Sequence, residues 1–258
     1  MNKYLLIGVG LIVIVLYITI LQYKQKEYFY GLKENDHNKI PKVVISTYHD
    51  KKKIPKKVFD NIHKYASNYK YIIFDDDDII RFLINHYPRN VLDTFKQLKG
   101  AHKADLFRYC YLYKYGGIYL DIKTNLIKPL DSIFNKNNIN LYTVLSIKTN
   151  SIYQGIIATT PNNTMFKELI EFMVTIKKPV TNYLVFTRDF YKKLQQYYTT
   201  NLVKGLNKGP YGNVYLFNEK CTNNTDDCYD GLDRYHKCCY VYDKNEKIIK
   251  TRYADYPW

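Results

Sequence analysis

The sequence predicts an α/β fold, a mostly parallel sheet flanked by helices, with an N-terminal membrane helix in front of it. Three observations carry that expectation. From residue 42 onward, short β-branched runs alternate with longer stretches of helical pattern. The 258 residues are 46% hydrophobic and 24% charged, which allows a sizeable buried core. The uncharged run Tyr4 to Leu21 is long enough, at about 1.5 Å per residue, to approach the roughly 30 Å of a bilayer's hydrocarbon. Eleven Gly and eight Pro are scattered without a period, which excludes collagen-like, low-complexity and solenoid classes.

The apolar run exceeds a signal peptide's core, and Tyr17, Thr19, Ile20, Leu21 and Gln22 offer no small-x-small cleavage pattern, so it reads as an uncleaved anchor. Lys3 and the amino terminus on one side balance Lys24 and Lys26 on the other, so the positive-inside rule barely sets the orientation. The organisation expected is an anchor at 1–24, a polar stalk at 25–39 and one globular domain at 40–258. Within that domain, 42–48 is a buried strand, 55–68 a helix and 71–74 a second strand ended by the acidic run at 75–78. A long helix over 93–115, closed by Gly116-Gly117, leads into a strand at 118–123. Strands at 141–147 and 155–159, helices at 163–176 and 182–198, and a hairpin over 241–249 turning at Lys244-Asn245 complete the reading.

The formal charge of +15 attracts phosphate, whether in nucleic acid, anionic lipid or a nucleotide-sugar, and charge alone does not choose among them. Much of it reads as solvated Lys surface: Lys51-Lys52-Lys53 and Lys56-Lys57 form a basic loop, with an anionic acceptor or lipid as the functional alternative. Lys64-Tyr65, Lys70-Tyr71 and Lys114-Tyr115 resemble the interleaving of a nucleic-acid surface, but the anchor and the lack of any nucleic-acid motif disfavour that class. Cys110 sits in an apolar stretch and reads as core. Cys221, Cys228, Cys238 and Cys239 permit two disulfides, in three connectivities, in an oxidising lumen of the Golgi or ER kind. The sequons at Asn162 and Asn223 suit such a lumen.

The most informative stretch is 101–121, AHKADLFRYCYLYKYGGIYLD. Its helix is apolar on nearly every side, yet Asp105 and Arg108 interrupt it three residues apart, on the row of Leu98, Ala101 and Leu112. Buried charges require a partner or a ligand, so the pair is either an intrahelical salt bridge or a binding device. Gly116-Gly117 permits the positive φ that ends the helix. In the strand that follows, Ile118, Leu120 and Ile122 share one face while Tyr119, Asp121 and Lys123 share the other. Ring, carboxylate and ammonium thus meet beside Asp105 and Arg108, a set suited to sugar hydroxyls and a diphosphate.

Asp-x-x-Arg-Tyr, then Gly-Gly-Ile-Tyr-x-Asp, then Pro129-Leu130 resemble the sugar-binding region of the DXD-type glycosyltransferases of family 32, which are related to the glucosylating clostridial toxins. Residues 40–44, 69–78 and 156–161 extend the resemblance more loosely. It implies a GT-A fold and transfer of a hexose from a UDP- or GDP-sugar, with retention at the anomeric carbon, to a glycan, glycolipid or glycoprotein. It also implies donor contacts by Thr47, Tyr48, Asp105, Arg108, Tyr119 and Asp121, with Asp121 touching ribose, sugar or the shell of a Mn or Mg ion and forming with Lys123 the catalytic pair, and a C-terminal segment with Asp255 and Trp258 over the donor, Asp255 as a second metal residue.

The sequence departs from the family pattern at the motif's second carboxylate, which is Lys123. A protonated Lys cannot ligate a cation, so three readings follow: Lys123 itself offsets the diphosphate charge, other carboxylates hold the metal, or the protein binds sugar nucleotides without turnover. Asp75-Asp76-Asp77-Asp78 reads as a turn and helix cap. Gly209-Pro210 reads as an ordinary turn, and His102 as a core or surface residue beside the site helix.

Overall fold

Strand β1 (Val43–Thr47) is a β-branched run with both faces covered, as its place inside the sheet requires. It pairs in parallel with β2 (Lys70–Phe74) on one side and β3 (Gly117–Leu120) on the other. The computed structural model describes Val13, residues 39–222 and residues 238–251. The expected anchor at 4–21 falls outside the described residues except for Val13, and the stalk except for Lys39. Among the described residues, no helix is long and apolar enough to cross a membrane.

Between β1 and β2 runs α1 (Lys56–Tyr65), and between β2 and β3 run α2 (Asp76–His86), α3 (Arg89–Gln97) and α4 (Ala101–Tyr115). Then follow β4 (Asn125–Leu126), the short α5 (Leu130–Ile133), β5 (Leu141–Leu145), β6 (Ile152–Thr159), α6 (Thr164–Thr175) and α7 (Val185–Tyr197). The described chain closes with β7 (Gly205–Gly209), β8 (Gly212–Thr222), β9 (Cys238–Asp243) and β10 (Glu246–Thr251). The strands form one sheet in the order β2-β1-β3-β6-β5-β8-β9-β10-β4, with β7 added alongside β8.

The sheet is mixed rather than mostly parallel: three of its nine pairings are parallel and six antiparallel. The reason lies in the connections. Helical crossovers separate β1, β2 and β3 and return the chain in the same direction. Beyond β3 tight hairpins reverse it, at Pro210-Tyr211 between β7 and β8 and at Lys244-Asn245 between β9 and β10. Gly209-Pro210 therefore belongs to a hairpin turn. Strands β7 and β8 were not expected at all. Cys221 and Cys239, facing each other across β8 and β9, form a disulfide, and Cys238 is disulfide-bonded as well. Cys228 and Asn223 lie outside the described residues.

Several boundaries differ from the sequence reading, two of them in the helices that precede β3. The acidic run is capped from its first member: Asp75 accepts from the Asp78 amide while Asp78 accepts from that of Asp75, a reciprocal capping box. Both carboxylates also meet Lys51. The helix expected over 93–115 is two, α3 and α4, broken at Gly100, whose φ of +53° and ψ of −130° suit glycine alone. Helix α4 is then buried continuously from Asp105 to Leu112. Phe107 lies 4.8 Å from Phe74 on the sheet side, and Tyr109 lies between Phe166 of α6 and Phe190 of α7, at 5.9 and 5.7 Å. Each such ring contributes roughly 1.5–3 kcal/mol by burial. On the opposite face of the sheet Val44, Ile118, Leu120, Ile156, Phe217 and Ile249 form the second core layer, under α1 and α5.

Gly116 turns α4 into β3 at φ +64°, and a Cβ there would stand 2.6 Å from the backbone nitrogen of Pro161 and 2.8 Å from the carbonyl of Thr159. Gly116→Ala should therefore cost at least roughly 1–3 kcal/mol in a urea titration. An unchanged midpoint would show that the turn is not strained by a side chain.

Candidate functional site

Three elements deliver the site to the carboxyl ends of β1 and β3. Thr47 ends β1, Tyr119 is the third residue of β3, and Asp105 and Arg108 occupy adjacent turns of α4. The strand stops at Leu120, so the alternation expected over 118–123 does not reach Lys123. The Asp121 amide still donates to the carbonyl of Gly155 on β6 at 2.8 Å. The chain then turns, with the Lys123 amide donating to Asp121 Oδ1 at 3.0 Å and the Thr124 amide to the Asp121 carbonyl at 2.8 Å. That Asp turn, not a β-pleat, places Lys123 at the site.

Arg108 is held on every side. Its Nη2 lies 3.3 Å from Asp105 Oδ1, its Nε donates to the Ala104 carbonyl at 3.1 Å, and its Nη1 donates to the Gln154 carbonyl. The guanidinium lies over the Tyr119 ring, 4.1 Å from the centroid, and the Tyr119 hydroxyl is 3.2 Å from Thr47 Oγ1. The amide of Gln154 lies between Asp105 and Tyr109. The orientation that satisfies its neighbours sets its nitrogen 3.3 Å from Asp105 Oδ1 and its oxygen 3.2 Å from the Thr187 amide.

Burial governs the electrostatics. It raises the Asp105 carboxyl above the usual carboxylate range, outweighing the pull of Arg108 and His102. Burial works against the Arg108 charge, but Tyr119, Asp105 and Asp121 overcome it and hold the guanidinium more firmly charged than in water. The Tyr119 phenol is raised, chiefly by burial, so it stays a neutral donor.

Asp105 and Arg108 are only 6% and 3% exposed, yet both face cavities. A first chamber of about 580 Å³ is lined by Thr47, Tyr48, Arg108, Tyr119, Asp121 and Lys123, with Asp76, Lys96, Lys99 and Lys103 around them. A second, of about 380 Å³, takes in Asp105, Arg108, Asp121, Lys123, Ser151, Gln154, Tyr183 and Thr187. Arg108, Asp121 and Lys123 border both, with Ala101 and Tyr183. The seven donor and catalytic candidates named from the sequence, Thr47, Tyr48, Asp105, Arg108, Tyr119, Asp121 and Lys123, thus converge. Asp255 and Trp258 lie outside the described residues. His102 packs on Phe186 with ring centroids 4.9 Å apart, and of the acidic run only Asp76 borders a chamber, paired with Lys103 at 2.6 Å.

The sequence reading missed Gln154, Tyr183 and Thr187. No motif marks them, because they reach the site from β6 and from the entry to α7. The described residues do not make up the divalent-cation site that the resemblance implies; Asp255, the other expected metal residue, lies outside them. Among the described residues no three His, Cys, Asp or Glu side chains converge, Asp121 Oδ1 is engaged by the Lys123 amide, and an ammonium stands at the motif's second carboxylate.

Asp105→Ala leaves a buried guanidinium without its carboxylate and is expected to cost roughly 3–5 kcal/mol of stability. Asp105→Asn, which still offers an oxygen to Arg108, should cost less. Because the Asp105 carboxyl is raised on folding, the folded chain holds its proton more readily. This group alone therefore makes stability fall as pH rises from its unfolded value through its folded one. Urea titrations of both variants from pH 4 to 8 test this, and equal losses at every pH would show that the carboxylate does not brace Arg108.

Comparison with known proteins identifies the same block. A family described as a glycosyltransferase sugar-binding region containing the DXD motif matches residues 52–140. An initiation-specific alpha-1,6-mannosyltransferase of Saccharomyces cerevisiae is 40% identical over 86 residues, covering 32% of this chain and 18% of that protein. An uncharacterised glycosyltransferase of Acanthamoeba polyphaga mimivirus is 26% identical over 208 residues, covering 75% of this chain and 82% of its own. Among solved structures, the PaToxG glycosyltransferase matches with a TM-score of 0.46 at 15% identity, covering 61% of this chain and 69% of that one. The chain thus spans less than a fifth of the yeast mannosyltransferase. Residues 52–140 match a glycosyltransferase sugar-binding region containing the DXD motif, and in that block the chain is similar to glycosyltransferases of the DXD type.

Proposed function

We propose that residues 40–258 form a GT-A-like catalytic domain that moves a hexose from a UDP- or GDP-sugar to a glycan, glycolipid or glycoprotein, with retention at the anomeric carbon. The observation that carries the reading is the shared wall of the two chambers, where Arg108, Asp121 and Lys123 stand between a basic chamber and one holding Asp105. The nucleotide lies in the first chamber with its base near Thr47 and Tyr48. Lys96, Lys99 and Lys103 give that side the positive potential a diphosphate requires. The hexose crosses the wall so that its hydroxyls meet Asp105 and Arg108. The name of the yeast relative makes mannose the first hexose to test.

In the reaction the anomeric carbon exchanges its bond to the β-phosphate oxygen for one to the acceptor oxygen. The nucleoside diphosphate leaves with the electron pair of the broken bond and takes up the acceptor hydroxyl's proton. Lys123 and Arg108 stabilise the charge gathering on the leaving group, and Asp121 orients the sugar or ribose. The ammonium of Lys123 takes the electrostatic role that a metal held by a second carboxylate would have.

A membrane anchor at 4–21 and a lumenal domain of the secretory pathway complete the proposal. The Cys221–Cys239 disulfide supports that compartment, since such bonds persist where the medium is oxidising.

The test is a domain lacking residues 1–30, offered UDP- and GDP-hexoses with Mn²⁺ or with EDTA. Turnover that survives EDTA is expected, with an α-linked product from an α-linked donor by NMR. Binding without turnover in every condition would favour a pseudoenzyme, and an inverted product would remove the retaining assignment. Asp121→Ala should lower turnover at least about a hundredfold while the fold persists; near-normal turnover would place the site elsewhere.

A further inference from the structure

The second chamber takes Ala101, Asp105, Arg108, Asp121 and Lys123 from the motif block. Most of what distinguishes it comes from residues 146–187, beyond the matched region. Its wall alternates two kinds of surface. Ser151 donates to Thr187 Oγ1 at 2.8 Å and Thr187 donates in turn to the Leu184 carbonyl at 2.9 Å, an ordered hydroxyl pair beside the Gln154 amide. Between these polar points lie ring and aliphatic surfaces, from Tyr153, Ile152 and Leu184. A sugar presents the same alternation, hydroxyls around its rim and C–H groups on its faces. A lipid tail would need an apolar groove without the hydroxyls.

At the mouth stands Tyr183, 67% exposed although it borders both chambers. Its backbone is fixed. The Tyr183 carbonyl lies 3.3 Å from His102 Nε2, and the flanking Asn182 accepts from the Leu184 amide through Oδ1 at 3.0 Å and from the Val185 amide through its carbonyl at 3.2 Å. Its ring lies 5.7 Å from that of His102 at an interplanar angle of 30°. A large exposed ring on a backbone held in this way, bordering both chambers, loses little entropy on binding.

We propose that the part of the second chamber beyond Asp105 and Arg108, where the donor hexose lies, is the acceptor subsite, that it takes a carbohydrate hydroxyl, and that Tyr183 at its mouth is the platform on which the acceptor sugar stacks. This rests on the transferase reading and adds to it that the accepting group is a sugar hydroxyl, whether the sugar belongs to a glycan, a glycolipid or a glycoprotein. Retention requires the acceptor oxygen to reach the anomeric carbon on the face from which the diphosphate leaves, so the acceptor enters past Tyr183, which borders both chambers.

The test uses the same domain with methyl α- and β-hexosides as probe acceptors and the nucleotide-sugar found to turn over. Tyr183→Ala should raise the acceptor KM roughly five- to tenfold with less than a threefold change in donor KM, and Tyr183→Phe and Tyr183→Trp should restore it. An unchanged acceptor KM in Tyr183→Ala overturns the proposal. So does a rise confined to donor KM, which would assign the ring to the donor. Wild-type turnover that reaches only non-sugar acceptors, or stops at donor hydrolysis with every glycoside, overturns it while leaving the transferase reading intact. No turnover of any nucleotide-sugar by the wild type would instead remove that reading, and this proposal with it.

Discussion

A carboxylate and a guanidinium buried one helical turn apart, Asp105 and Arg108, constrain the rest of the structure. Removing two charges from water is costly, and their attraction repays it only if the remaining donors and acceptors are also met. The fold meets them from three directions: the Gln154 carbonyl and amide come from β6, the Tyr119 ring from β3, and the Ala104 carbonyl from α4 itself. These partners hold only if α4 is wedged against the sheet on one side and against α6 and α7 on the other. That explains why the helix is apolar around nearly its whole circumference. The break at Gly100 serves the same end. A continuous helix over 93–115 would carry its axis onward and put helical backbone where Lys99 and Gly100 now border the first chamber.

The same pair makes the site stiff before any ligand arrives. Arg108 has its donors committed to Asp105, Ala104 and Gln154, and its face to Tyr119. Little side-chain freedom is left to lose on binding, so more of the interaction with a sugar appears as affinity or rate. Charge is distributed around this fixed centre with a gradient. The first chamber carries Lys96, Lys99 and Lys103, the last tied to Asp76, besides the shared Lys123, whereas the second adds Lys148 and Asp105 to its hydroxyls, amide and apolar side chains. A nucleotide-sugar has this asymmetry, with its charge on the diphosphate and neutral hydroxyls beyond it.

The parts of the fold and site that could be read from the sequence were those encoded locally. The β-branched run of β1, the capped acidic turn before α2 and the Gly-Gly exit from α4 announce themselves within a few residues. Asp105 and Arg108 were conspicuous because charge breaks an apolar helix. What could not be read depends on tertiary placement. The mixed sheet follows from hairpins in the C-terminal half, where β7 and β8 contain Gly, Asn and Lys and show weak strand character. The split between α3 and α4 turns on one glycine that a helical pattern tolerates. Lys123 reached the expected site for a different reason: the strand ends at Leu120, and the Asp121 carboxylate, by accepting from the Lys123 amide, bends the chain there. Gln154, Tyr183 and Thr187 left no local signal, since an amide on a strand and a hydroxyl on a helix are unremarkable until the fold sets them against Asp105.

That local bend bears on how a lysine can stand where the family pattern has a carboxylate. A divalent ion draws its ligands into a tight shell, which demands carboxylates free to turn toward it. Here Asp121 Oδ1 is occupied in building its own turn, and the neighbouring charge that faces both chambers is an ammonium on a flexible stem. A Lys is a compact, strongly hydrated point charge that follows a diphosphate as it moves, whereas a chelated ion must bind again with each turnover. The exchange gives up the field strength of a divalent ion, and the fixed, permanently charged Arg108 beside it is the group placed to compensate. In the proposed reaction the buried ion pair and the lysine are therefore two parts of one arrangement: Asp105 braces the guanidinium that stands with Lys123 on the wall of both chambers.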